Sequence, residues 1–327
     1  MTWRKECDRC WTTTISDTAS AGDAGKLRKP NTTWSCRQRG SNNSIKRWPV
    51  VGRSPEPFPE TPYGIVKRLR TIEAWTDRVV ARLRQTSLSI LDYGCGTGDH
   101  VTHPLACRSH RVLGVDCHEA SIRQASRTYP LPNLSFRRAD IGDLVREAMT
   151  FDLIVCSEVL EHLHDPREFL QAVRRLLRPG GGLIITTPNG YGSFEWLMSL
   201  QKGLNRIGLH GLLRRAASPL LGAKTNGQAR PDSTGSVTAD PSIGYLNMDS
   251  THVQFFRLGR LETIFAESGF RILDRRARTL CCGPYVDLLF RALPFEQALY
   301  RMNNRLADLL PFAWAADWMF FLEAGVE

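Results

Sequence analysis

One short segment of the sequence combines two carboxylates and an imidazole at a spacing that suits metal binding. Glu158, Glu161 and His162 form an E-x-x-E-H arrangement directly after an apolar run. If a helix begins here, positions i, i+3 and i+4 share one face, and the three side chains lie together. Carboxylates and imidazoles are ligands for divalent ions such as Mg2+, Mn2+ and Zn2+. A bound metal would lower the pKa of a nearby hydroxyl and prepare its oxygen as a nucleophile.

A second segment is suited to binding a ligand through the backbone. Residues 89–100 read SILDYGCGTGDH, in which apolar residues lead into Asp92 and Gly94, Gly96 and Gly98 alternate over five positions. This pattern predicts a buried strand and then a turn, because glycine lets the backbone bend sharply and lie against a ligand. The D-x-G-x-G-x-G spacing differs from the G-x-G-x-x-G of dinucleotide-binding turns, which disfavours a nicotinamide cofactor.

Two of the following predicted strands also end in acidic residues. The strand at 111–116 ends in Asp116, which can accept hydrogen bonds from both hydroxyls of a ribose, and the strand near 134–139 leads into Asp140 and Ile141. Further strands are predicted at 151–156 and, after a glycine turn, at 182–187. The alternation of strands and helices over 89–187 predicts a parallel sheet with right-handed crossovers, whose ligand lies beyond the carboxyl ends of the strands.

These five segments, in this order, resemble the class I S-adenosylmethionine (SAM) methyltransferases over about residues 60–190 and more loosely over 250–323. The resemblance implies an α/β, Rossmann-like fold: a seven-stranded, mostly parallel sheet with an antiparallel last strand, helices on both faces, and insertions after strands five and six. It implies SAM as the cofactor, with Asp92 orienting the glycine loop or meeting the methionine ammonium, Asp116 fixing the ribose, and Asp140 and Ile141 contacting the adenine. The other cofactor-binding candidates are Gly94, Cys95, Gly96, Gly98, Cys117 and Ser157.

The E-x-x-E-H arrangement resembles that of ubiquinone-pathway catechol O-methyltransferases and of small-RNA 3′-end 2′-O-methyltransferases, in which a metal organises two neighbouring acceptor oxygens. The RNA enzymes add a later histidine, and His252 lies where that ligand would come. The resemblance therefore implies a metal held by Glu158, Glu161, His162 and His252, with Glu161, His162 and His252 as catalytic residues. In the alternative interpretation no metal is bound, and the histidine acts as a base or lines the pocket.

Composition limits the class of protein without naming a substrate. The 327 residues carry a net charge of +10, which favours anionic partners such as nucleic acid, membrane headgroups or phosphorylated substrates. Nine cysteines are an odd number, and no signal-like apolar core follows the N-terminus, so a reducing cytoplasm is expected. No apolar run reaches the roughly 18 residues that span a bilayer.

The chain divides into an extension and one domain. The composition of residues 1–58 predicts a disordered basic N-terminal extension. The resemblance implies that residues 59–327 form a SAM-dependent methyltransferase domain. Within that domain, residues 190–250 and 281–316 predict insertions on the acceptor side or at an interface. The aromatic-rich 281–316 insertion suits core or a homodimer interface, or a peripheral membrane surface with Arg291, Arg301 and Arg305 beside it.

Three interpretations of function follow. The first is O-methylation of a small-molecule or lipid-like hydroxyl, favoured by the E-x-x-E-H arrangement and the apolar insertion. The second is metal-dependent 2′-O-methylation of RNA, suggested by the charge and His252, although no aromatic and basic motif of the usual RNA-binding modules is present. The third is a non-catalytic SAM-binding protein, which the intact glycine loop disfavours.

Overall fold

The computed structural model describes residues 37–39, 45–47, 59–193 and 252–325. In these ranges no helix has both the length and the apolar character needed to cross a membrane. Of the predicted N-terminal extension, the structure describes only strand β1 (Arg37–Arg39) and its antiparallel partner β2 (Ile45–Arg47), a pairing that the prediction of disorder did not include. Most of the 190–250 insertion lies outside the described residues.

Seven strands form the main sheet in the order β5-β4-β3-β6-β7-β9-β8. Strands β3 to β7 pair in parallel, and β9 runs antiparallel to both β7 and β8. This topology agrees with the predicted α/β, mostly parallel sheet and its antiparallel last strand. The strands are β3 (Ser89–Tyr93), β4 (Arg111–Asp116), β5 (Leu134–Arg138), β6 (Phe151–Ser157), β7 (Leu177–Pro188), β8 (Phe270–Ala277) and β9 (Asp317–Ala324).

Helices connect these strands and cover both faces of the sheet. They are α1 (Ile65–Leu83), α2 (Thr102–Cys107), α3 (Glu119–Thr128), α4 (Ile141–Arg146), α5 (Pro166–Leu176), α6 (Leu258–Glu267), α7 (Pro284–Ala292) and α8 (Glu296–Leu309), with 3-10 turns at Leu160–His162 and Phe312–Trp314. Local sequence explains their starts: before α5, the Asp165 carboxylate accepts hydrogen bonds from the N–H groups of Arg167 and Glu168, and Pro166 occupies the first turn.

The core lies on the two faces of the sheet. Successive strand residues point to opposite sides, so Leu91 and Ile154 pack on one face while Ile90 and Val155 pack on the other. Helix α1 covers the second face, where Ile72 is fully buried. The central strands are apolar on both sides, as expected of a parallel sheet between two helix layers.

The predicted insertion after strand six consists of α7, α8 and the second 3-10 turn. Tyr300 and Ala307 of α8 are buried, so this part of the insertion belongs to the core. By contrast, Phe295 and Leu309 are 71% and 80% exposed. The segment therefore has a buried side and an apolar side that faces outward.

Candidate active site

The glycine loop leaves the carboxyl end of central strand β3 and enters α2. The N–H groups of Gly94 and Cys95 both donate to the carbonyl oxygen of Val115 at the end of β4, at 2.7 and 3.0 Å. Gly94, Gly96 and Gly98 all have positive φ, at 79°, 54° and 79°. This left-handed conformation suits glycine because it costs other L-residues energy. The loop is thereby fixed against the strand edge where a ligand is expected.

The three glycines differ in what surrounds them. A Cβ at Gly98 would lie 2.7 Å from the ring of Phe136, and one at Gly94 would lie 2.5 Å from Cγ2 of Val159. A Cβ at Gly96 would meet nothing within 4 Å. Gly94 and Gly98 are thus needed for packing, whereas Gly96 opens onto free space in which a ligand can approach the backbone.

Asp116 lies beside this open position. One carboxylate oxygen accepts a hydrogen bond from the Gly96 N–H at 2.8 Å, and the other accepts one from the His118 N–H at 2.8 Å. The carboxylate is half-buried, and the neighbouring Cys117 is exposed. The structure thus brings the predicted ribose-binding residue against the loop, and the same hydrogen bonds fix its orientation.

Asp92, predicted to orient the glycine loop or to meet the methionine ammonium, is buried near the end of β3. Its carboxylate is 2% exposed and accepts a hydrogen bond of 2.6 Å from the Thr102 hydroxyl at the start of α2. Burial raises the pKa of Asp92 to about 6, although the Thr102 hydrogen bond and the Arg68 charge act in the opposite direction. Asp92 therefore links β3 to α2 and orients the loop between them.

Asp140 and Ile141 stand at the start of α4. The Asp140 carboxylate accepts a hydrogen bond from the Asp143 N–H at 2.7 Å, and the Asp143 carboxylate accepts one from the Asp140 N–H, which forms a capping box. Asp140 is exposed, and Ile141 is half-buried against the core. The predicted adenine-contacting pair is therefore held in place by a helix start rather than by a loop.

The acceptor motif follows β6 and forms a compact group. A carboxylate oxygen of Glu161 and one ring nitrogen each of His162 and His252 all lie within 4.8 Å of one another. Glu161 is 1% exposed and accepts a hydrogen bond from the Thr187 hydroxyl at 3.1 Å. The carbonyl oxygen of Glu161 accepts hydrogen bonds from the N–H groups of Val253 and Gln254, at 2.9 and 3.0 Å. These bonds place His252 beside Glu161 and His162, although His252 follows His162 by 90 residues in the sequence.

Burial changes the acid–base behaviour of Glu161. Desolvation and the nearby Glu158 carboxylate raise the pKa of Glu161 well above its ordinary value. A buried carboxyl of this kind ionises when a cation binds beside it. Glu161 and the two imidazoles therefore form a donor set whose chemistry fits a divalent metal.

Glu158, the fourth predicted metal ligand, is not a member of this group of three, and its carboxylate has other partners. The predicted helix starting at 158 is only a 3-10 turn over Leu160–His162, and Glu158 precedes it with φ 59°. Its carboxylate instead pairs with Arg278 at 2.9 Å and accepts a hydrogen bond from the Thr186 hydroxyl at 2.6 Å. Burial would raise the pKa of Glu158, but the Arg278 and Arg68 charges outweigh it and hold the pKa below its ordinary value.

Ser157 and Cys95 complete the predicted set. Ser157 is half-buried at the end of β6, and its hydroxyl lies 2.9 Å from that of Thr186. Cys95 is half-buried in the glycine loop, and burial raises the pKa of its thiol, which keeps it protonated. Both residues lie at the expected edge of the sheet.

Arg68 is a candidate site residue that the sequence analysis missed. It is 8% exposed, its charge influences both Asp92 and Glu158, and its Nε has no hydrogen-bond partner among the described residues. A buried cation beside the glycine loop is suited to an anionic ligand group. The signal was present in the helical period, because Arg68 falls among Ile65, Leu69 and Ile72 on the buried face of α1.

Comparison with known proteins gives the class. Residues 66–275 match the methyltransferase domain family, and the chain belongs to that family. The human mitochondrial ubiquinone biosynthesis O-methyltransferase is 39% identical over 108 residues, which are 31% of this chain and 29% of that protein. The ubiquinone biosynthesis O-methyltransferase of Leptothrix cholodnii is 31% identical over 121 residues, or 35% of this chain and 49% of that protein. The matched region is less than half the length of these relatives.

Among solved structures, a magnesium protoporphyrin IX methyltransferase from Synechocystis with bound SAH is 15% identical, with a TM-score of 0.44, over 80% of this chain and 86% of that one. The family match and the sheet order together confirm the predicted fold class. The family match also agrees with the predicted class, a methyltransferase.

Proposed function

We propose that this protein transfers the methyl group of SAM to a hydroxyl of a small-molecule or lipid-like acceptor. The observation that carries the proposal is the group of Glu161, His162 and His252 next to the glycine loop. Val159, in the same turn as Glu161 and His162, is the residue that a Cβ at Gly94 would contact. The acceptor motif and the cofactor loop are therefore packed against each other, as methyl transfer between two ligands requires.

The cofactor side of the site fits SAM through features of this chain. The free space at Gly96 admits the ligand to the backbone, Asp116 offers carboxylate oxygens for ribose hydroxyls, and the buried Arg68 suits a carboxylate. When bound, SAM supplies a methyl group on a sulfonium that is already a strong electrophile. The chain has to orient the acceptor oxygen and take up its proton.

On the acceptor side, Glu161, His162 and His252 would hold a divalent metal, which would acidify an acceptor hydroxyl. His162 is half-exposed, with Nε2 4.0 Å from the Glu161 carboxylate, and its ring centroid lies 5.1 Å from that of His252. An imidazole in this position can also accept the hydroxyl proton. The donor set supports the metal-dependent version of the mechanism, with Glu158 outside it.

The acceptor class rests on two further observations. The curated relatives are named for ubiquinone biosynthesis, which favours a small or lipid-like acceptor over RNA. Exposed apolar residues between the start of α7 and the end of the turn after α8 also suit a lipid-like acceptor, a peripheral membrane contact or a homodimer: Leu289, Phe295, Leu309 and Trp314. The predicted cytoplasmic location remains a prediction.

The test is to incubate the purified protein with methyl-labelled SAM and a cell extract, and then count the organic, aqueous, RNA and protein fractions. Label in the organic fraction, lost in His162→Ala and His252→Ala, is the expected result. His164→Ala is the matched control, because His164 is exposed in the same loop and lies outside the group. Label in RNA would instead support the second interpretation, and equal activity in all three variants would contradict the proposed site.

Metal dependence has its own test. Exhaustive chelation of the purified protein should abolish transfer, and titration with Mg2+, Mn2+ or Zn2+ should restore it. Full activity in the chelated protein would contradict the metal while leaving methyl transfer intact.

A further inference from the structure

A groove rich in arginine lies between α1, β8 and α8, on residues that the active site does not use. Its volume is about 500 Å3. Six basic side chains line it: Lys67, Arg70, Arg78, Arg276, Arg301 and Arg305. Three acidic residues, Glu60, Asp274 and Asp308, line the same groove, so its formal charge is strongly positive.

The acidic residues of the groove are already engaged. Glu60 accepts hydrogen bonds from the N–H groups of Val66 and Lys67, at 3.0 and 3.1 Å, and from the side-chain amide of Asn304 at 2.8 Å. Its negative charge therefore complements the start of α1. Asp308 pairs with the Lys67 ammonium at 2.8 Å.

Asp274 is engaged in the same way at the other end of the groove. One of its carboxylate oxygens accepts hydrogen bonds from Arg78 at 2.8 Å and from the Trp75 indole at 3.0 Å. The Arg276 guanidinium lies 3.7 Å from the same oxygen. The groove thus holds six basic side chains against three acidic ones, an excess of positive charge.

Arg301 and Arg305 carry much of that excess. They are exposed, one turn apart on α8, and neither has an acidic partner within the described part of the chain. Like charges at this spacing repel each other. The helix cannot turn them away, because Tyr300, Asn303 and Ala307 bury its opposite side. Two guanidinium groups are consequently held beside the groove.

We propose that this groove binds a phosphate group. Guanidinium groups match phosphate oxygens with paired hydrogen bonds, and an anion between Arg301 and Arg305 would relieve their repulsion. The phosphate can come from a soluble phosphate ester or from the headgroup of an anionic phospholipid. The second source has a structural argument, because exposed Met302, Leu306 and Leu309 form an apolar strip along the same helix. This inference is independent of the methyl-transfer reaction.

Two binding measurements separate the sources. Titration calorimetry with pyrophosphate, in buffer free of divalent ions, tests a soluble phosphate. Co-sedimentation with phosphatidylcholine vesicles, with and without about 30% phosphatidylglycerol, tests a lipid surface. Binding in either arm that weakens as salt rises is the expected result.

The variant Arg301→Ala/Arg305→Ala should weaken that binding at least tenfold. Arg123→Ala/Arg127→Ala is the matched control, because these arginines have the same i, i+4 spacing on α3 and lie outside the groove. All four side chains are exposed, so both variants should fold and melt like the wild type. Absence of binding in both arms, or equal loss in the control variant, would overturn the proposal.

Discussion

The Glu158 carboxylate and the Arg278 guanidinium form a partly buried ion pair, with 2.9 Å between oxygen and nitrogen. Arg278 also binds Asp317 at 2.7 Å, so one cation joins the end of β6 to the start of β9. Arg278 and Asp317 are both buried, with 3% and 2% of their surface exposed. This network engages the Glu158 carboxylate, whereas Glu161 stands in the group with His162 and His252.

Removing the shared cation should destabilise the fold strongly. Arg278→Met leaves the buried Asp317 carboxylate and the half-buried Glu158 carboxylate without their partner, and we expect a loss of about 3–5 kcal/mol in the free energy of unfolding. Chemical denaturation measures it. Arg275→Met removes an exposed pair with Glu262 and should cost about 1 kcal/mol or less. Similar losses in the two variants would refute the structural role of the network.

Metal affinity should distinguish the two glutamates of the motif. Glu161→Gln removes a carboxylate of the three-residue group and should weaken Mn2+ binding by about tenfold or more. Glu158→Gln changes a residue that pairs with Arg278 and should leave the affinity within a few-fold of wild type. Calorimetric Mn2+ titration below the melting temperature of each variant gives the comparison. Greater loss in Glu158→Gln would restore the four-ligand prediction.

Substitutions of two glycines in the loop should have different effects, one mainly on SAM binding and the other mainly on stability. Gly96→Ala introduces a methyl group into free space at φ 54°, which should cost about 1–2 kcal/mol of stability but weaken SAM binding at least tenfold. Gly98→Ala brings a methyl group against the Phe136 ring at 2.7 Å and should cost more stability. Thermal melting and SAM titration, run on both variants, check the two effects. Unchanged SAM affinity in Gly96→Ala would remove the loop from the cofactor site.

Asp92 should give stability a pH dependence. The pKa of Asp92 is raised from 3.8 to about 6, so the folded protein binds a proton on this carboxyl more tightly than the unfolded chain does. The protonated carboxyl therefore adds to the free energy of unfolding at low pH, and this stabilisation is lost as the pH rises through the range 4–6. A pKa rise of this size corresponds to about 3 kcal/mol. Asp92→Asn, whose side-chain oxygen can still accept the Thr102 hydrogen bond, should lack this loss. Denaturation of both proteins between pH 4 and 7 measures it, and parallel curves would contradict the prediction.

Much of the fold was predictable because its signals are local. The central parallel strands β3, β4 and β6 are short, mostly apolar runs. Asp116 ends β4 and the loop with Gly94, Gly96 and Gly98 follows β3, so the topology places these residues at one edge of the sheet. The course of α1 likewise follows from its apolar period over residues 65–83. Residues at the carboxyl ends of adjacent parallel strands have to lie near one another, whatever the rest of the chain does.

The partners of buried charges could not be predicted in this way. Glu158 was grouped with Glu161 on the assumption of a helix, but its positive φ and its pairing with Arg278, 120 residues away, depend on tertiary structure. Arg68 was visible in the helical period, but that period does not tell which acidic groups it approaches. The partners of Glu158 and Arg68 depend on contacts between charges that are far apart in the sequence. Local sequence patterns cannot predict such contacts.

The hydrogen bonds that close the segment after β7 have an evolutionary consequence. The Gly190 N–H donates to the Phe256 carbonyl oxygen at 3.1 Å, while Val253 and Gln254 return to Glu161, so the chain departs and comes back at one place. The entropy of closing a loop grows only slowly with its length. A change in the number of residues between these two ends should therefore cost the fold little free energy, so this stretch can vary in length during evolution while the hydrogen bonds that join its ends are kept.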